Sequence, residues 1–180
     1  LVKRLDGMFA FGLWDTKKQK FLLARDRIGI KPLYFCSHQD TFRFASEIKA
    51  ILTDPSIPRE MDPNALNHYL SFMVSPPPLT MFKNIYKLPA AHIMEVNKSG
   101  EIKTRRYWDV SSNSSEAFSN SNHLSNSSDE RFCIDGVRTH LERAVKKRMM
   151  ADVPFGVFLS GGVDSSINVA LMKQLTNNPV

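Results

Sequence analysis

The run Phe158-Leu159-Ser160-Gly161-Gly162-Val163-Asp164-Ser165-Ser166 constrains the fold more than any other stretch of this chain. Phe155 to Leu159 is short and wholly apolar, the pattern of a strand buried on both faces of a parallel sheet. It ends in a Ser-Gly-Gly turn, and helical spacing follows over Ser165 to Leu175, with Ile167, Ala170, Leu171 and Leu175 as the expected inner face. Strand, tight turn and helix in that order open a doubly wound α/β unit. Such a turn also presents backbone N–H groups and hydroxyls to a phosphate. The common phosphate loop is excluded, because no G-x-x-x-x-G-K-[ST] pattern is present and no Lys follows the glycines.

The residue types in the loop suit a polyphosphate. Gly161 and Gly162 carry no Cβ to hold the backbone away from phosphate oxygens. Ser160, Ser165 and Ser166 supply hydroxyl donors, and the helix that follows adds its positive end. Asp164 repels bare phosphate, so its functional reading is a ligand for Mg²⁺ bridging the phosphates, and its structural reading is the N-cap of the helix. The bland alternative for the whole run is a Gly-rich turn with Ser and Asp as caps.

The first half reads as β-structure. Met8–Asp15 and Lys20–Arg25 form an expected hairpin, Leu33–Cys36 a third strand, and Thr41–Ala45, alternating at period two, a fourth. Ser46 to Leu52 shifts to helical spacing with Ser46 as the expected N-cap. A second helix begins at Asp62-Pro63, with Asp62 as cap and Pro63 in the first turn, and stops near Met73 before Pro76-Pro77-Pro78. Ile85–Leu88 follows. His92–Val96 and Glu101–Tyr107 read as a further hairpin around Asn97-Lys98-Ser99-Gly100. Residues 111–128 are almost all Ser, Asn and other polar types, the composition of a linker or surface insertion. Beyond them, Phe132, Val137, Leu141, Ala144, Val145 and Met149 make a helical stripe that Pro154 breaks. One buried parallel strand needs neighbours, so the chain is expected to be the middle of a longer protein.

Charge and cysteine usage narrow the class. The 180 residues carry a formal net charge of +6. The basic residues are spread out, with only the short clusters Arg105-Arg106 and Lys146-Lys147-Arg148, and no aromatic-interleaved basic motif, so no nucleic-acid partner is expected. No stretch reaches the roughly 20 apolar residues of a membrane span, and no membrane partner is expected. Cys36 and Cys133 make no C-x-x-C pair, which fits a reducing compartment and a cytoplasmic protein. His38, His68, His92, His123 and His140 show no metal-ligand spacing. Cys36 reads as strand packing. Arg25-Asp26-Arg27 beside Gly29 is either a solvated turn or a structured loop near a site, and the residues alone do not separate the two.

Two separated sets of motifs carry a resemblance. Ser-Gly-Gly-x-Asp-Ser resembles the pyrophosphate loop of the ATP pyrophosphatases. Leu5-Asp6-Gly7-Met8-Phe9-Ala10-Phe11 with Trp14-Asp15, then Leu23 to Tyr34 and Phe44 to Ala50, resembles the class II glutamine amidotransferase domain. Asp152-Val153-Pro154 through Ser166 is similar to the start of the synthetase domain of glutamine-hydrolysing asparagine synthetases. Phe82–Leu88, Leu88-Pro89-Ala90-Ala91-His92 and Tyr107-Trp108-Asp109 are similar to that family's connector. Ala91 stands where the family commonly has Gly.

The resemblance implies an α+β fold. The C-terminal part of an Ntn-hydrolase-type αββα amidotransferase domain (1–68) and a connector (69–130) would precede the start of a doubly wound α/β ATP pyrophosphatase domain (131–180). It implies a cytoplasmic ligase of asparagine biosynthesis that uses glutamine, aspartate, ATP and Mg²⁺ and leaves a homodimer open. Leu159, Ser160, Gly161, Gly162, Asp164, Ser165 and Ser166 would bind ATP or pyrophosphate, with Asp164 as the Mg²⁺ ligand. No catalytic residue carries over for glutamine hydrolysis: the family's nucleophile is an N-terminal Cys, and residue 1 here is Leu. Rival implications are a related amidotransferase with another acceptor and an inactive fragment.

Overall fold

The computed structural model describes residues 1–110 and 127–176 of the chain. The chain is α+β and divides into two compact units, 1–116 and 117–180, described separately here. The Ser/Asn-rich stretch read as a linker lies almost wholly outside the described residues.

In the first unit a short 3-10 turn, Val2–Arg4, precedes two antiparallel sheets. The first sheet is ordered β1 (Ala10–Asp15), β2 (Lys20–Arg25), β6 (His92–Asn97), β7 (Ile102–Arg106). The second is ordered β4 (Thr41–Ala45), β3 (Tyr34–His38), β5 (Tyr86–Lys87). Residues 86–106, within the stretch read as a connector, thus supply β5, β6 and β7. Both expected hairpins form, Ala10 pairing with Arg25 at one end of the first and His92 with Arg106 in the second.

Because side chains alternate along each strand, the first sheet has two different faces. Leu23, Met94 and Val96 meet Leu33, Leu88, Phe35 and Phe42 between the sheets. Ala24 and Ile93 on the opposite face pack with Val2, Ala91 and Tyr107. The second sheet turns Cys36 toward Ile51, Ile57 and Ile85. Leu23 and Leu88 are fully buried, each stabilising the fold by about 1.5–3 kcal/mol.

Two short helices flank these sheets. In α1 (Ile48–Ile51) the cap is Glu47, in extended backbone, and no side chain bonds to the helix start. The expected Ser46 cap is therefore corrected: a single turn beginning at Ile48 starts too late for the Ser46 hydroxyl to reach its N2 or N3 amide. The second helix, α2 (Pro63–Phe72), begins as expected. Asp62 accepts from Asn64 N and Ala65 N, Pro63 sits in the first turn, and Met73 closes the helix in the left-handed conformation at φ 58°.

The second unit contains α3 (Ser127–Arg148) and α4 (Val163–Leu175). They flank an apolar cleft of about 530 Å³, lined by Val137 and Leu141 from α3 and Ile167 and Leu171 from α4. Leu171 and Met172 are the buried residues of α4. Of the expected inner face, Ile167, Ala170 and Leu171 line this cleft, but only Leu171 is buried; the expectation is corrected at Ile167, Ala170 and Leu175, which stay exposed. Phe155–Leu159, expected as a strand, is assigned to no strand, and Phe158 is 98% exposed. A strand exists through its ladder, and no described segment pairs with this one.

Candidate functional site

The residues expected to bind phosphate lie where the chain enters α4. Gly162 is the N-cap, in extended backbone, and Gly161 before it has φ +82°. A Cβ on Gly161 would meet nothing within 4 Å, so the requirement for Gly there is conformational rather than spatial. The N-cap reading of Asp164 is corrected: it sits one residue inside the helix, in the first turn, because the chain is already helical at Val163.

Three hydroxyls converge on this corner. Ser165 Oγ and Ser166 Oγ donate to the Gly162 carbonyl at 3.0 and 2.8 Å. With the Ser165 hydrogen committed there, Ser160 Oγ donates to Ser165 Oγ at 3.0 Å. Ser166 N makes the first intrahelical bond, to Gly162 O. No side chain caps the helix start, and the amides of Val163, Asp164 and Ser165 precede the first helical bond, so they remain available to an anion. The loop is exposed except at half-buried Ser165, and exposed Leu159 brings no polar side chain to it.

Asp164 favours the positive helix end but opposes phosphate. Among the described residues no group of three His, Cys, Asp or Glu could hold a metal ion by itself. A single carboxylate is still an adequate protein ligand for Mg²⁺, which commonly keeps its waters and takes substrate phosphates as its other ligands.

The Arg25-Asp26-Arg27 cluster proves to be a built loop. Asp26 is 1% exposed, and its carboxylate accepts Ile30 N and Lys31 N at 2.9 Å each. Burial pushes its pKa up, but backbone N–H donors from Lys31, Ile30, Phe9 and Ile28 outweigh burial and hold it below the ordinary value. Arg25 donates to the carbonyls of Lys31, Leu88 and Gly29 at 2.7 Å each. Tyr107 Oη donates to Arg25 O at 2.9 Å, and Ala91 N donates to Asp26 O at 2.8 Å. The Arg25 guanidinium and the backbone carbonyls of Arg25 and Asp26 thus tie this loop to Leu88, Tyr107 and Ala91, while the Asp26 carboxylate holds the loop's own amides. Sequence flagged the charged triplet but not its distant carbonyl partners. Cys36 is fully buried, and burial raises its thiol pKa, which suits packing and not nucleophilic attack. No helix among the described residues is long and apolar enough to cross a membrane.

Comparison with known proteins gives two family matches on this one chain. The family described as glutamine amidotransferase domain matches residues 1–108, and that described as asparagine synthase matches 136–180. Asparagine synthetase [glutamine-hydrolyzing] 3 of Bacillus subtilis is 36% identical over 94% of the chain, covering 26% of its own length. Asparagine synthetase [glutamine-hydrolyzing] 1 of the same organism is 33% identical over 95% of the chain and 25% of its own length. Amidase chry2 of Gibberella zeae is 36% identical over 97% of the chain and 24% of its own length. The chain therefore spans about a quarter of these curated relatives.

Proposed function

We propose, for a chain that belongs to the glutamine amidotransferase domain family, that the protein carrying it makes asparagine from aspartate with ATP and glutamine. The observation that carries this reading is the order of the two family matches on one chain, with the Ser160–Ser166 loop inside the second. The fold proposed for the first unit is part of an Ntn-hydrolase-type amidotransferase domain. The second unit is proposed as the opening of a doubly wound ATP pyrophosphatase domain, in a cytoplasmic enzyme.

In the proposed reaction the aspartate side-chain carboxylate attacks the α-phosphorus of ATP. The bond to the β-phosphate oxygen breaks, pyrophosphate leaves, and β-aspartyl-AMP forms. Ammonia released from glutamine then attacks the acyl carbon, AMP departs, and the lost proton leaves asparagine neutral at its new amide. The chain's own residues act on the pyrophosphate end. The amides of Val163, Asp164 and Ser165 hold phosphate oxygens, and the hydroxyls of Ser160, Ser165 and Ser166 exchange the Gly162 carbonyl and one another for phosphate acceptors. Mg²⁺, held by Asp164 and the phosphates, would neutralise the charge that builds on the leaving pyrophosphate.

Product analysis of the full-length protein with aspartate, glutamine and ATP tests the reading. AMP and pyrophosphate, released in step with asparagine, are the expected products, whereas ADP with phosphate overturns it. A second reading is favoured by the similarity to an amidase at 36% identity, namely the same two-part scaffold serving another acceptor. Release of AMP with a different carboxylate, and none with aspartate, selects that reading.

A further inference from the structure

We draw no further inference here: the strongest candidate, the half-buried Arg27 side chain on the loop that follows β2, whose buried Nε has no hydrogen-bond partner among the described residues, carries nothing, because the chain spans about a quarter of its curated relatives and nothing in the structure shows what covers this side chain.

Discussion

Asp26 keeps its charge in a place that penalises charge, and four backbone N–H groups account for that. Asp26→Asn retains one acceptor but loses the charge that strengthens these bonds, so it should destabilise the chain by about 1–3 kcal/mol near neutral pH. The sign with pH follows from the direction of the shift. The folded pKa lies below the ordinary 3.8, so the contribution is complete above that value and disappears as pH falls through the folded pKa. Urea midpoints of the two proteins should therefore be well separated at pH 7 and converge in acid. Equal midpoints at pH 7 would remove the node from any account of stability. Asp54 adds to the same acid limb. Its carboxylate is lowered to about 2, chiefly by Ser56 and then by Arg43, and its stabilisation fades between about pH 4 and pH 2. Ala91 is a second residue under local constraint, at φ +59°. Gly there relieves a left-handed strain of about 1–2 kcal/mol but loses a buried methyl worth about 0.8 kcal/mol and adds backbone entropy. Ala91→Gly should therefore move the urea midpoint by less than about 1 kcal/mol in stability.

At the scale of elements, the loop entering α4 invites a direct test. Gly161 at φ +82° occupies a conformation that costs an L-residue about 1–2 kcal/mol. Gly161→Ala should weaken ATP binding by the full-length protein about tenfold, read by calorimetry, while the urea midpoint of the first unit stays unchanged. Undiminished ATP affinity would show that the loop conformation is not the one that binds. The local rules worked where one element holds its own determinants. Asp62 and Pro63 announced α2, and period-two alternation gave Thr41–Ala45 its bounds. They failed where an element depends on something distant. Phe155–Leu159 has the composition of a buried strand yet pairs with no described segment. The Arg25 node was only half legible, because its guanidinium reaches Leu88 and its carbonyl receives Tyr107, 63 and 82 residues away. Periodicity carries no information at that separation, so the triplet could be noticed but not interpreted.

For the whole molecule, the decisive property is that two family matches, and with them the two chemistries proposed above, map to separate stretches of one chain. The family matches end at 108 and resume at 136, and the described residues fall into two compact units. Motif order in the sequence was enough to suggest this arrangement, because both motif sets are local runs. The packing of Phe42 and Phe44 against Phe21 was not visible that way, since it requires β4 to face β2 across the sandwich. If the two chemistries are separable, damage to one need not reach the other. Asp164 lies in the first turn of α4, far in sequence from the amidotransferase match, and Asp164→Ala removes a carboxylate without disturbing a cap or a core contact. In the full-length protein this substitution should lower AMP and asparagine formation by about 10²- to 10³-fold, the scale of losing a metal-held charge in a transition state. Release of glutamate from glutamine should persist at near its original rate when aspartate is omitted. Asparagine formation that survives the substitution would exclude the Mg²⁺ role of Asp164. Parallel loss of glutamine hydrolysis would show that the two chemistries are coupled through the fold.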